Sequence, residues 1–346
     1  MKAARLASPG TLRLDDVPEP HPLDGEVVVE LAACGVCGTD LEKLRGRYQT
    51  QGRIGHEPVG TVTVLGAGVR DLAVGDRVFV HHHVPCLTCE VCRRGDLTFC
   101  PSYATTNIDP GGFADRFRVP SENVARGAVL RLDPSVGWEE GTLIEPAACA
   151  LTALNRVGFR EGDSVFIIGL GPVGLLYARL ARAWGAGWVG GAELSERRRR
   201  AARDGGADLV VDPTDPDAVE PTVRASTGGR GVDLAVVATG AASAVRIAPR
   251  LVRRGGTLNL FGLPEPGSRL EADLQELYLS GIRIIPSYAT TEPDIAEVHR
   301  RLSSHRLDLS GLVTHRFPLD RIAEAFATAA TPEESLKVVV TGPAFS

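Results

Sequence analysis

The sequence predicts an α/β protein with a β-rich first part and a doubly wound parallel sheet in the middle of the chain. Short β-branched runs broken by glycine and proline fill residues 1 to about 145, for example Glu26–Glu30, Val59–Leu65 and Arg77–Val80. From about 147 to 284, strand-like runs alternate with segments of helical period. Such alternation is typical of a parallel sheet covered by helices on both faces.

The elements of the middle region follow in order from a strand at Ser164–Ile168, a glycine turn, and a helix whose apolar spacing begins at Val173. The next predicted elements are the strand Trp188–Ala192, the helix Ser195–Asp204, and the strands Leu209–Val211, Leu234–Val237 and Leu258–Phe261. From about 285 the pattern predicts the helices Ile295–Leu302 and Ile322–Ala330 and a strand, Lys337–Val340, which could close onto the first region. We therefore expect one domain from residues 1–150 together with 285–346, and another from residues 151–284.

Length, charge and hydropathy exclude several classes of protein. The 346 residues suffice for two domains, and the net charge of −5 gives no basic field for nucleic acid. We interpret the run Arg197–Arg200 as a solvated helix face. No apolar run approaches the roughly 18–20 residues of a membrane span, and the segment Met1–Pro18 lacks a signal-peptide core. We expect a cytoplasmic protein whose thiols stay reduced, with neither a membrane nor a nucleic-acid partner.

A dense cysteine pattern predicts a metal site. Cys86, Cys89, Cys92 and Cys100 form C-x2-C-x2-C-x7-C. Four thiolates at this spacing can surround one Zn²⁺ ion and leave no open position, which is typical of a structural site. The same spacing could hold an iron–sulfur cluster, but the rest of the chain offers no electron-transfer partner. We therefore predict a structural zinc ion here.

A second set of metal-binding residue types is spread over short motifs: Cys34-Gly35-Val36-Cys37 with Gly38-Thr39-Asp40, then Gly55-His56-Glu57, then Ile144-Glu145-Pro146. One cysteine, one histidine and one or two glutamates with an open position would make a catalytic zinc site. Asp40 could then hydrogen-bond the far nitrogen of His56 and fix its tautomer. Taken alone, the C-x2-C motif could also be a redox dithiol, and a lone histidine is most often an ordinary residue.

The glycine turn predicts a dinucleotide site. The glycines of Gly169-Leu170-Gly171-Pro172-Val173-Gly174 would let the backbone approach a pyrophosphate, which sits on the positive N-terminus of the following helix. Glu193 stands 19 residues after the last glycine and would accept hydrogen bonds from both adenosine-ribose hydroxyls. Its charge favours NAD over NADP, because a 2′-phosphate would occupy the same place. Arg197, on the next helix, could oppose this preference by pairing with a phosphate.

In this order, CGVCGTD (34–40), GHE, the four-cysteine segment, IEP and GLGPVG (169–174) resemble the zinc-dependent medium-chain dehydrogenases. The chain is most similar to the branch of sorbitol, threonine and alcohol dehydrogenases, and the resemblance covers nearly its whole length. It implies a GroES-like catalytic domain built from both chain ends, with a Rossmann domain inserted between them.

The resemblance also implies a set of zinc ligands. Its pattern places the first ligand of the catalytic zinc at Cys37 rather than Cys34, and the second at His56. The third ligand differs among branches. We expect Glu57, with Glu145 exchanging with water or bonding through it.

Further roles follow from the same resemblance. Thr39 matches the hydroxyl of a proton relay, but Glu42 stands where many members carry a histidine. Either Glu42 ends the relay, or the proton leaves through the ribose and water. We expect Cys34 and Cys149 to be buried, and His81–His83 to line the loop before the cysteine segment. The expected cofactor contacts are Gly169, Gly171, Pro172, Val173, Gly174, Glu193, Arg198 and Thr239.

The function predicted by these motifs is oxidation of a small secondary alcohol, polyol or sugar to a ketone, with NAD and two zinc ions per chain, in a homodimer or homotetramer. One alternative is a zinc-ribbon binding module fused to a nucleotide-sensing domain. It requires a basic face around Cys86–Cys100, where the basic side chains are offset by Glu90 and Asp96. Another is a thiol oxidoreductase using Cys34 and Cys37, which the motif after Cys37 argues against.

Overall fold

A computed structural model describes residues 1–47, 52–264, 266–270 and 273–345. The first region opens with a hairpin of β1 (Lys2–Ser8) and β2 (Thr11–Asp16). Its further strands are β3 (Val27–Gly35), β4 (Pro58–Leu65), β5 (Arg77–Val80), β6 (Arg116–Val119) and β7 (Val129–Arg131). Short helices lie between them or after β7: α1 (Gly38–Leu44), α2 (Glu90–Arg93), α3 (Pro101–Thr105), α4 (Ser121–Ala125) and, after β7, α5 (Trp138–Thr142). The predicted β-rich region is therefore confirmed.

The middle region is a six-stranded sheet, parallel throughout, in the order β10-β9-β8-β11-β12-β13. The strands are β8 (Ser164–Ile168), β9 (Trp188–Ala192), β10 (Leu209–Val211), β11 (Val232–Val237), β12 (Val252–Leu260) and β13 (Arg283–Pro286). The helix α6 (Ile144–Val157) leads into it. Its other helices are α7 (Pro172–Ala183), α8 (Glu196–Asp204), α9 (Pro216–Ser226), α10 (Ala242–Leu251) and α11 (Leu274–Ser280).

The last region returns to the first. It contains α12 (Glu292–Ser303), β14 (Val313–Pro318), α13 (Ile322–Ala329) and β15 (Lys337–Thr341). β15 pairs antiparallel with β3, with Val340 opposite Cys34, as expected for a last strand that closes onto the first region. The resulting sheet has the order β14-β15-β3-β4-β5-β7, and β6 also pairs with β3. Both chain ends thus build the sheet that carries Cys34 and the loop to Cys37.

Helices cover both faces of the six-stranded sheet. One face packs against α6, α7 and α12 through side chains such as Leu154, Leu176 and Val298. The other packs against α9 and α10, where Val223 and Val245 are buried. This confirms the doubly wound arrangement. None of the described helices is both long enough and apolar enough to cross a lipid bilayer.

Candidate active site

Cys37 stands where a helix begins. It is the N-cap residue of α1, and its Sγ accepts a hydrogen bond from the Thr39 backbone N–H at 3.5 Å. Asp40 Oδ2 in turn accepts one from the Cys37 backbone N–H at 3.3 Å. Free N–H groups at a helix N-terminus favour negative charge. The local sequence therefore places the Cys37 sulfur at the N-terminus of α1, facing the Thr39 backbone N–H.

A glycine turn before β4 brings two more ligand types to Cys37. Gly55 has a φ of +79°, and a Cβ there would lie 2.7 Å from the Phe113 backbone nitrogen, so the position requires glycine. The next two residues are buried, with His56 7 % and Glu57 0 % exposed. Ligand atoms of Cys37, His56 and Glu57 all lie within 4.8 Å of one another. Sulfur, imidazole nitrogen and carboxylate oxygen suit zinc, and three protein ligands leave one position open.

Asp40 orients the histidine. Its Oδ1 lies 3.3 Å from His56 Nδ1 and accepts a hydrogen bond from the Gly55 backbone N–H at 3.2 Å. Burial would raise the pKa of Asp40, but the charges of His56 and of Lys43, 3.7 Å away, hold that pKa well below its usual range. With Nδ1 facing Asp40, the Nε2 atom of His56 is left for a metal. This is a close charge contact and not a hydrogen bond, since His56 Nδ1 has no hydrogen-bond partner among the described residues, so the hydrogen-bonding role of Asp40 stays a prediction.

A buried lysine, which the sequence analysis missed, faces the glutamate of this group. Lys337 opens β15, is 3 % exposed, and its Nζ lies 2.7 Å from Glu57 Oε1 and 2.5 Å from Oε2. Burial raises the pKa of Glu57, which the ammonium only partly opposes. Burial would lower the pKa of Lys337, but the charges of Glu57 and Cys37 raise it. A lone lysine at the head of a valine run was the available signal.

Glu145 lies outside the compact group. It sits in the first turn of α6, is 7 % exposed, and its Oε1 accepts a hydrogen bond from Cys149 Sγ at 3.4 Å. The geometry therefore favours Glu57 over Glu145 as the third ligand. Cys149, expected to be buried, is only partly so.

Cys34 argues against thiol redox chemistry. Its side chain is 0 % exposed on β3, and burial raises the pKa of its thiol well above the usual value. None of the seven cysteines forms a disulfide bond. A thiol with a raised pKa and no access to solvent is a poor nucleophile, so a dithiol couple with Cys37 is not supported.

The two predicted relay residues on α1 have different surroundings. The Glu42 carboxylate pairs with Arg45 at 2.6 Å and with Arg47 at 3.6 Å, so its charge is already balanced. Thr39 is partly buried beside Cys37. Of the two proton routes left open by the sequence, this arrangement favours the one through the ribose and water over a relay that ends at Glu42.

Of the three consecutive histidines, His82 lies beside the candidate zinc ligands. The His82 ring centroid lies 5.2 Å from that of His56, and among the described residues its buried Nδ1 has no hydrogen-bond partner. Burial lowers the pKa of His82 well below its ordinary value. His83 Nδ1 lies 2.5 Å from the Thr106 carbonyl, yet burial still lowers the pKa of His83 to about 3. His82 therefore presents a neutral ring beside the candidate metal ligands.

The four-cysteine segment is shaped for a single ion. The sulfur atoms of Cys89 and Cys92 are 3.5 Å apart, those of Cys89 and Cys100 are 3.8 Å apart, and those of Cys86 and Cys92 are 3.9 Å apart. A tetrahedron with Zn–S bonds of about 2.3 Å has edges of about 3.8 Å. All four sulfurs lie within 4.8 Å of one another, which suits one zinc ion rather than a polynuclear iron–sulfur cluster.

The glycine turn forms a cradle at the carboxyl end of β8. A Cβ at Gly174 would lie 2.0 Å from the Gly169 carbonyl oxygen, so the strand and α7 can approach this closely only with glycine. Gly169 itself has a φ of +93° and lies beside Thr239. Gly171 is the N-cap of α7, followed by Pro172. The open backbone at a helix N-terminus fits the pyrophosphate of a dinucleotide.

Glu193 is held rigidly next to this turn. Its Oε2 accepts a hydrogen bond from the Leu170 backbone N–H at 2.9 Å, and its Oε1 accepts one from the Ser195 N–H at 3.1 Å. The Arg198 guanidinium lies along the turn, 3.5 Å from where a Gly171 Cβ would be, and burial lowers the pKa of Arg198. Arg197, by contrast, is exposed.

Comparisons with known proteins agree with this site. Residues 23–132 match the family model "Alcohol dehydrogenase GroES-like domain", and residues 172–304 match "Zinc-binding dehydrogenase". Together these models cover the zinc residues and the glycine turn from Pro172 onwards. They do not favour a zinc-ribbon binding module fused to a nucleotide-sensing domain.

Whole-chain relatives point the same way. Sorbitol dehydrogenase of Bacillus subtilis (strain 168) is 33 % identical over 98 % of this chain and 97 % of its own. L-threonine 3-dehydrogenase of Pyrococcus abyssi is 35 % identical over 90 % of this chain and 89 % of its own. A zinc-binding dehydrogenase of Sinorhizobium meliloti 1021, solved bound to NADP, superposes with a TM-score of 0.89 at 29 % identity and covers 98 % of both chains. The chain belongs to the zinc-dependent medium-chain dehydrogenase/reductase family.

Proposed function

We propose that this oxidoreductase converts a small secondary alcohol, polyol or sugar to the ketone, with Cys37, His56 and Glu57 as the ligands of its catalytic zinc. The observation that carries the proposal is the meeting of these three side chains in one compact group beside the His82 ring. The substrate class is supported by the relatives named as sorbitol and threonine dehydrogenases. The glutamate in the ligand set is the feature that we expect to suit polyols.

The residues of the chain have distinct roles in this proposal. A bound zinc supplies Lewis acidity to the substrate hydroxyl, and the nicotinamide accepts the hydride. Asp40 holds His56 in one tautomer, and Lys337 balances the charge of Glu57. The Thr39 hydroxyl takes the substrate proton and passes it outward through the ribose and water. The glycine turn and Glu193 hold the cofactor.

We propose NAD as the preferred cofactor. Both Glu193 oxygens are tied to backbone N–H groups, so the carboxylate cannot easily turn away from a 2′-phosphate. The second zinc ion would be held by Cys86, Cys89, Cys92 and Cys100 and would be structural.

We also propose the two-domain division given above: one domain from residues 1–150 with 285–346, and the other from residues 151–284.

We further propose that the chain assembles as a homodimer or homotetramer. The assembly is supported by β13, which is an edge strand, and by the adjacent α11, where Leu274 is 78 % and Tyr278 84 % exposed. Light scattering should give a mass of two or four chains, and Tyr278→Asp should lower it. We propose a cytoplasmic location, because the cysteines assigned as zinc ligands must stay reduced to bind metal.

A substrate screen tests the function. Purified zinc-loaded protein is incubated with secondary alcohols, polyols and sugars, each with NAD⁺ and with NADP⁺, and absorbance of the reduced nicotinamide is followed. We expect reduction of NAD⁺ by at least one of them. Binding of NADH without turnover of any alcohol, in protein with both zinc sites filled, would instead indicate a nucleotide-binding regulatory module.

A further inference from the structure

The chain passes between the two proposed domains twice, and we call each of these passages a crossing. The four-cysteine segment packs on the second crossing. After β13, residues 287–291 lead back to α12, and Ala289 packs against the cysteine cluster. The Tyr288 ring stacks on Phe99 at 6.3 Å. Tyr103, three residues after Cys100 and 2 % exposed, donates a hydrogen bond to the Thr290 carbonyl at 2.8 Å. Specific contacts thus hold the four-cysteine segment on the second crossing.

A histidine links the same crossing to the zinc site. His81 is 0 % exposed; its Nδ1 lies 2.9 Å from Glu292 Oε1, and its Nε2 lies 3.4 Å from the Tyr103 hydroxyl. The next residue along the chain is His82, whose ring lies against His56. A continuous set of buried contacts therefore runs from the crossing to a candidate zinc ligand.

The first crossing, at α6, is hydrogen-bonded to the second. Thr152, on α6, has its Oγ1 3.0 Å from Thr290 Oγ1 and 2.5 Å from Asp294 Oδ2. Asn155 Nδ2 donates to the second oxygen of Asp294 at 2.9 Å. The two crossings are thus hydrogen-bonded to each other. Tyr103 and His81, which we call the joint, connect this pair of crossings to His82 and the candidate zinc ligands.

We propose that His81 and Tyr103 are positioning residues that hold the cofactor domain at a fixed place relative to Cys37, His56 and Glu57. This inference rests on the proposed function, in which a hydride passes between groups held by different domains. Such transfer is sensitive to shifts of about 1 Å in the reacting groups. The contacts of Tyr103 and His81 are buried and polar. Removing one partner therefore leaves the remaining polar groups without a hydrogen bond and weakens the connection to both crossings.

The test removes one hydroxyl from the zinc-loaded enzyme. Tyr103→Phe keeps the ring and loses the contacts with Thr290 and His81. Tyr177→Phe is the matched control, because the Tyr177 hydroxyl is also buried but has no hydrogen-bond partner among the described residues. Glu292→Gln instead alters the contact with His81 and leaves the four-cysteine segment unchanged. Hydrogen–deuterium exchange is measured with and without NADH, together with zinc content, NADH affinity and turnover.

In the wild type and in Tyr177→Phe, NADH should slow exchange in both 287–294 and 81–84. In Tyr103→Phe we expect residues 287–294 to exchange about tenfold faster, the equivalent of 1.4 kcal/mol, and the effect of NADH on 81–84 to disappear. Zinc content and NADH affinity should stay unchanged, while kcat falls and its deuterium isotope effect rises with sorbitol or the alcohol found in the screen. Glu292→Gln should shift the same measurements less.

Unchanged exchange in 287–294, or faster exchange with an unchanged kcat and isotope effect, would overturn the proposal. If no alcohol is turned over, the proposed function fails. The effect of NADH on hydrogen–deuterium exchange in residues 81–84 would still show whether Tyr103 and His81 couple the two domains.

Discussion

At the scale of single residues, proton transfer depends on which polar group near Cys37 is free to act. Glu42 is paired with two arginines, whereas the Thr39 hydroxyl lies on the first turn of the same helix, beside the candidate zinc ligand. A positioned proton acceptor is effective only when its lone pairs are available to the substrate. We therefore assign the first step of the proton route to Thr39.

Thr39→Val tests this assignment. The change removes the hydroxyl and keeps the shape, so kcat should fall by roughly 10²–10⁴-fold. Glu42→Gln, which alters a neighbouring side chain on the same helix, should lower kcat far less. Steady-state kinetics on both variants with zinc content checked is the measurement. Near-normal turnover by Thr39→Val would show that the proton leaves by another group.

Glu193→Ala tests the choice of cofactor. In the wild type we expect kcat/KM for NAD⁺ to exceed that for NADP⁺ by about tenfold or more, equal to 1.4 kcal/mol. The variant should narrow this ratio, because it loses both the ribose hydrogen bonds and the repulsion of a 2′-phosphate. Glu196→Ala is the control, since that exposed carboxylate pairs with Arg199 and Arg203. Equal or greater efficiency with NADP⁺ in the wild type would contradict the assignment.

At the scale of elements, the sequence predicted best where an element is defined by its own side chains. The strands β8, β9 and β10 have the predicted bounds, because each is a short apolar run ended by turn residues. β12 begins at Val252, six residues before the predicted Leu258. Its early residues are arginines that find partners elsewhere: Arg253 pairs with Asp233, and Arg254 donates to the Leu279 carbonyl. Such tertiary compensation is invisible in a local pattern.

α12 carries a pH-sensitive contact. Burial lowers the pKa of His299, and the neutral Nε2 accepts a hydrogen bond from the Asp133 backbone N–H at 3.0 Å. The unfolded chain takes up a proton near pH 6.5 while the folded chain resists it. The stability due to neutral His299 is therefore complete above about pH 6.5 and is lost as the pH falls through the lower folded value.

His299→Gln should flatten this dependence. Urea unfolding between pH 8 and pH 5.5 should show a smaller loss of stability in the variant than in the wild type, because glutamine offers an acceptor that does not titrate. His21→Gln, at an exposed histidine, should keep the wild-type slope. Parallel curves for wild type and His299→Gln would show that this histidine is not the titrating group.

At the scale of the whole molecule, the site depends on residues that only the fold brings together. Cys37, His56 and Glu57 could be predicted because each lies in a short motif with glycine. Lys337 could not, since it contacts Glu57 across 280 positions of sequence through the pairing of β15 with β3. The same holds for His82, whose place beside His56 depends on how β5 ends. The sequence therefore indicated the candidate ligands but not the side chains that surround them.

Lys337→Met measures what the chain ends contribute to the site. Removing one partner of a buried ion pair leaves an uncompensated charge and should lower the free energy of unfolding by about 3–5 kcal/mol. Adding Glu57→Gln should restore part of the loss, because the remaining buried group is then neutral. Lys2→Met breaks an exposed pair with Asp16 and should leave the free energy of unfolding close to that of the wild type. Equal effects of Lys2→Met and Lys337→Met would mean that the buried pair contributes little.

The central claim is that the chain holds two zinc ions at separate sites and that only the site with Cys37 turns over substrate. Zinc content and NAD⁺ reduction, measured on the same samples of wild type, Cys37→Ser and Cys92→Ser, test it most directly. We expect two zinc ions in the wild type, and one with no turnover in a folded Cys37→Ser protein. Cys92→Ser should chiefly lose stability, since metal binding is part of its folding free energy. A single zinc ion in fully loaded wild type, or normal turnover by Cys37→Ser, would contradict the account.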